Sequence, residues 1–242
     1  MNKSNKEMPF FEHVEELRWC IVKSLIAICF GTIIAYQISD FIIFYLIEPS
    51  KDLDIKLNFQ VLKVTSMFNI KLVTSIFGGV IISAPIILYQ IWRFVTPAFS
   101  RVNNLVTIFI FLVMLLFFLL GMFFAYFIIV PYSLNFLTSF QSSYLKISYN
   151  FTLSNYLSFI IWIMLGCGFI FQIPIITVLL SYLKILTSEF LRQYRKVAII
   201  FAMIVGAILT PPDPFSQILV VVPIIILYEI SIIFSSFFGA KY

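Results

Sequence analysis

Four carboxylates, Glu7, Glu12, Glu15 and Glu16, crowd the first sixteen residues, and His13, the only histidine of the chain, stands among them. The segment 9–19, PFFEHVEELRW, suits an amphipathic helix. Pro9 falls at a first helical position, and Phe10, Val14, Leu17 and Ile21 recur at helical spacing. Arg18 follows Glu15 by three residues, so those two can pair locally. Glu16 has Glu12, His13, Trp19 and Cys20 at the same spacings and no Lys or Arg, and Glu12 is equally without a basic neighbour. Two chemistries suit such carboxylates. They complement the helix dipole and keep an interface solvated, or they receive a cation at a membrane surface. The residues alone leave both open.

Three further polar positions interrupt apolar sequence: Gln172, Asp213 in the turn LTPPDPFSQ, and Glu229. An amide facing lipid is costly, so Gln172 is expected to face the bundle or a partner helix. Asp213 suits a cap on the helix that follows it. Much other chemistry has no residues to run on. Haem needs axial ligands on membrane helices, and His13 precedes the apolar runs. No Walker loop, metal-binding His/Glu cluster or Ser/His/Asp set is present, and enzymatic activity is not expected. Cys20, Cys29 and Cys167 form no Cys-x-x-Cys pair and suit small buried apolar roles. No basic run interleaved with aromatics suggests nucleic acid.

The elements that must position these residues belong in lipid. Of 242 residues, 62% are hydrophobic and 11% charged, with a mean hydropathy of +1.06. A soluble domain carries about 25% charged residues. A helical span needs about 20 apolar residues, and six segments approach that: 19–38, 72–92, 105–130, 156–180, 197–209 and 218–238. The sequence therefore predicts an all-α, single-domain polytopic membrane protein of six helices. Pro85 should kink the second span. The fifth, at about 20 Å, is shorter than the roughly 30 Å of hydrocarbon, so neighbours must tilt or the bilayer thin. The acidic start does not suit a cleavable signal, so the first helix is expected to insert the chain. Eleven Lys and Arg residues fall on the side of the termini and five on the other, which puts both termini inside.

In order and spacing, HVEELRW (13–19), SAPIILYQIWRFVTPA (83–98), GMFFAYF (121–127), FQIPII (171–176), LTPPDPFSQ (209–217) and YEISIIF (228–234) resemble the TatC family over nearly the whole chain. The resemblance implies a cupped bundle that recognises twin-arginine signal peptides. It also implies recruitment of TatA- and TatB-type single-span partners and movement of folded proteins by the proton-motive force, without a cofactor and within a homo-oligomeric complex. Glu16 matches the family's signal-binding glutamate, with Arg18 beside it, and a guanidinium fork suits a carboxylate better than Lys does. Pro49, Phe94, Asp213 and Glu229 match positions the family uses. There are two departures. The second signal-binding glutamate is replaced by Asn103, which Glu12 or Glu15 would have to supplement, and a span-four position often held by Glu is Gln172.

The richness in Phe, Ile, Tyr, Asn and Lys, with FQIPII and LTPPDPFSQ, looks most like mitochondrial and α-proteobacterial relatives. A mitochondrial inner membrane is the first expectation and a bacterial cytoplasmic membrane the second. Two rival functions remain at this stage. One is a small transporter or channel, whose polar path could use only Gln172 and Glu229. The other is a structural subunit of an organellar respiratory complex.

Overall fold

Apolar runs in lipid leave the backbone no hydrogen-bond partner but itself, so they coil into helices. The computed structural model describes residues 10–51, 58–96, 104–139, 150–210 and 213–239, with the backbone alone at 10–13 and 238–239. Ten helices are described in order: α1 (Phe10–Gln37), α2 (Ser39–Ile47), α3 (Ser66–Val95), α4 (Asn104–Phe124), α5 (Val130–Ser139), α6 (Leu153–Ile170), α7 (Ile173–Tyr182), α8 (Ser188–Gln193), α9 (Arg195–Leu209) and α10 (Pro214–Gly239). Two three-residue strands, β1 (Asn58–Gln60) and β2 (Asn150–Thr152), pair in parallel with Phe59 opposite Phe151.

Among the described residues, five helical stretches are long and apolar enough to cross a membrane: Val14–Gln37, Ser66–Val95, Asn104–Ser139, Leu153–Tyr182 and Pro214–Phe237. The expected span missing from these is the fifth, α9, whose 15 residues rise about 22 Å and fall short of the hydrocarbon thickness. The acidic segment and the first span are one continuous helix, α1, of 28 residues and about 42 Å, so its first turns stand outside the hydrocarbon.

Prolines shape the long helices. Pro131 lacks the N–H for an i−4 bond, and its ring would press on the Phe127 carbonyl. The chain widens there into a π-turn, Ala125–Ile129, with the Val130 N–H donating to the Ala125 carbonyl. Pro174 acts likewise on the expected fourth span. It ends α6 at Ile170, and α7 restarts at Ile173 after a turn at Phe171 and Gln172. That span is thus two helices.

α1 packs on α3, α3 also meets α4 and α6, α4 packs on α6, and α10 packs on α7 and α9. α1 lies at one edge, with only 11% of its spanning stretch buried. Small residues allow its contact with α3. A Cβ on Gly31 would lie 2.6 Å from the Gly79 carbonyl oxygen, and one on Gly79 would lie 2.6 Å from the Thr32 amide nitrogen. At the far end of the same pair, Lys71 Nζ bridges to Asp40 Oδ1 at 2.8 Å, tying α2 to α3. The last carbonyls of α2 are reached from two other helical segments. Tyr126 Oη, in the π-turn, donates to the Tyr45 carbonyl at 2.6 Å, and Tyr156 Oη, on α6, donates to the Leu46 carbonyl at 3.2 Å. The short helix α2, the 3-10 turn Glu48–Ser50 and the strands were not foreseen in the sequence.

Candidate functional site

α1 and α3 run antiparallel: Gly31 meets Gly79 while Asp40 meets Lys71. Glu16 precedes Gly31 by fifteen residues and Phe94 follows Gly79 by fifteen, so both lie about 22 Å from the crossing, at one end of the pair. Both side chains are half-buried. Around Glu16 the helix surface is largely open, with Val14, Leu17, Trp19 and Ile21 all exposed. Its Oε2 is shielded from solvent, and the side chain is engaged in the fold, whereas the sequence placed no basic partner beside it. Glu15 and Arg18 do pair, Nη2 to Oε1 at 3.2 Å, and the Arg18 guanidinium lies 5.4 Å from the centre of the Trp19 ring. This ion pair is exposed at both ends and contributes less than about 1 kcal/mol. Arg18 is two residues beyond Glu16 on α1, so those two side chains point to different faces of the helix. The Glu12 side chain and the whole of Asn103 lie outside the described residues.

The other expected site residues lie elsewhere. Gln172 is 4% exposed, in the break between α6 and α7, and its Nε2 donates to the Met114 carbonyl of α4 at 3.0 Å. The fold itself therefore satisfies the donor side of the amide. Asp213 accepts from the Ser216 N–H at 2.7 Å and caps α10. Thr210, ahead of the prolines, is extended, as a residue before proline prefers. Pro49 is buried in the 3-10 turn after α2. Glu229 accepts from Arg195 Nη2 at 2.8 Å, joining α10 to the start of α9. Sequence reasoning missed this pair. The two residues lie 34 apart, and no local spacing links them. The available signal was that Glu229 is a lone carboxylate in an apolar run, which must find a cation. Gln172, Pro49, Asp213 and Glu229 are therefore not brought together with Glu16.

The fold and the apolar surface define a multi-pass integral membrane protein. The family model for the Sec-independent protein translocase protein TatC matches residues 12–223. The chain is 37% identical over 238 residues to the Sec-independent protein translocase protein TatC of Carboxydothermus hydrogenoformans, covering 98% of this chain and 96% of that one. It is 32% identical over 236 residues to the TatC of Escherichia coli K12, covering 96% and 90%. A crystal structure of the twin arginine translocase receptor TatC superposes with a TM-score of 0.86 at 33% identity, covering 93% of this chain and 98% of that one. The chain belongs to the TatC family. These relatives are bacterial, and the mitochondrial expectation gains no support from them.

Proposed function

We propose that this chain is the receptor core of a twin-arginine translocase, holding the signal peptide of a folded cargo at the inner face of a bacterial-type cytoplasmic membrane. The observation that carries the reading is the placement of Glu16 and Phe94 at one end of the α1–α3 pair, within a chain that matches a TatC structure almost end to end. Glu16 receives a signal arginine by a charge-assisted bond, and Phe94 and Trp19 supply the apolar floor. Asn103 leaves one carboxylate fewer than the family's usual pair, so Glu15 and Glu12 supplement the charge. Both termini face the inside, α9 makes the fifth of six crossings in a locally thinned bilayer, and single-span TatA- and TatB-type partners dock on the exposed helix faces. The chain performs no catalysis of its own.

A transporter reading is less well supported, because the two polar groups it needs are engaged. Gln172 donates to α4 and Glu229 is paired with Arg195.

The test is photo-crosslinking of a labelled twin-arginine peptide to membranes carrying the protein. Glu16→Ala and Glu16→Gln are both expected to reduce crosslinking at least tenfold, since a charge-assisted bond of about 2 kcal/mol is lost in each. Asn103→Glu is expected to strengthen binding. Binding that survives Glu16→Gln unchanged would remove charge recognition from the reading and leave the family membership intact.

A further inference from the structure

A cavity of about 270 Å³ opens between α7, α9 and α10, and signal recognition has no use for it. Ile173, Ala198, Ala202, Ile224 and Ile225 form its apolar walls. Arg195 and Glu229 also line it, and their ion pair, 47% and 42% exposed, stands at the rim rather than in the interior. Tyr228 adds a second anchor there, donating from Oη to the Leu191 carbonyl at 2.7 Å, so α8, α9 and α10 are held together around the mouth.

The charges on the segments that lead into α9 are unbalanced. Lys184, Arg192, Arg195 and Lys196 fall on the turn after α7, on α8 and at the start of α9, and all four are exposed. The acids on the same segments are Glu189, with Glu229 facing them from α10. The Arg195 charge is spent on Glu229, which leaves Arg192 and Lys196 on either side of it in sequence to face the membrane surface. α9 itself rises only about 22 Å, so the headgroup layer is drawn down towards its ends.

We propose that this cavity seats an acyl chain of an anionic phospholipid, with the lipid phosphate resting on Arg192 and Lys196. Basic residues at the mouth of a pocket between membrane helices attract anionic headgroups, and the apolar walls accept a chain without a polar partner. A zwitterionic lipid offers the same phosphate but carries its own ammonium, so the basic rim discriminates against it.

The test is native mass spectrometry of the full chain, stripped of lipid in mild detergent and titrated with phosphatidylglycerol or with phosphatidylcholine of the same acyl chains. Phosphatidylglycerol is expected to bind about tenfold tighter. Ala198→Phe, which fills the slot, is expected to remove the bound lipid. The double variant Arg192→Gln, Lys196→Gln is expected to lower phosphatidylglycerol binding to the phosphatidylcholine level. Equal binding of the two lipids by the unmodified chain overturns the proposal, and so does full lipid retention by a folded Ala198→Phe variant. Because the double variant changes only surface residues, it keeps the test decisive if Ala198→Phe fails to fold. Twin-arginine peptide crosslinking at Glu16 is read separately, so failure of one reading does not disguise failure of the other.

Discussion

Glu16 and Gln172 show how differently two polar residues of one apolar chain are used. Glu16 is half-buried near the start of α1, where Val14, Leu17 and Trp19 are exposed and a ligand from solution can reach its surroundings. Gln172 is 4% exposed, and the described hydrogen bond of its side chain runs to the backbone of α4. Its sequence setting allowed either a bond within the fold or a functional face, and the bond to Met114 is the one seen. Such a bond inside a membrane bundle contributes about 1 kcal/mol. Gln172→Leu is therefore expected to lower stability by about that amount, measured by denaturant titration in detergent micelles. A variant as stable as the unmodified chain would show that the bond is silent. Asp213 is a cap, as its position before the sixth expected helix suggested.

At the scale of elements, close approach and turn geometry decide which substitutions are tolerated. Gly79 faces backbone: a Cβ there would meet the Thr32 amide nitrogen at 2.6 Å and its Cα at 2.8 Å. Gly166 faces only the methyl groups of Leu209, at 2.5 and 2.7 Å, which can move aside. Gly79→Ala is thus expected to cost about 2 kcal/mol and Gly166→Ala clearly less, a ranking that paired unfolding curves in detergent test directly. The end of α7 carries the opposite opportunity. Lys184 has a φ of 60°. The Ile185 N–H bonds to the Leu180 carbonyl and the Lys184 N–H to the Ser181 carbonyl, which is a Schellman arrangement. Glycine is the usual occupant of that left-handed position. Lys184→Gly is expected to raise stability by about 0.5–1 kcal/mol, visible as a higher midpoint in thermal unfolding. No loss or gain of contacts is involved.

For the whole molecule, the helix faces left uncovered matter more than any single contact. α1 is buried over only 11% of its spanning stretch. Such exposure suits a receptor that presents surface to a peptide and to partner helices. Its orientation is expected from the positive-inside count, and the short α9 is the weak point of that expectation. Cysteine labelling should place Arg18 and Ser188 on one side and Lys63, Asn150 and Asp213 on the other. Asp213 labelled from the same side as Ser188 would mean that α9 does not cross.

The sequence by itself determined the class of this protein. Apolar runs long enough for lipid, the prolines that break them and the ordered TatC-like motifs are local or linear signals, and periodicity and composition report them directly. The long spans appear with ends displaced by one to nine residues, the most at Ser139, because helix ends depend on caps and neighbours more than on hydropathy. What remained hidden depends on residues distant in sequence. The parallel pairing of Asn58–Gln60 with Asn150–Thr152 uses strands too short to carry a pattern. The Arg195–Glu229 bridge joins residues 34 apart. The tyrosine bonds to α2 span 81 and 110 residues. The placement of Glu16 and Phe94 at the same end of the α1–α3 pair follows from a glycine crossing that only the packed helices define. Tertiary structure decided these features because a partner for a buried or interfacial polar group is chosen by proximity in space, which no spacing along one helix records.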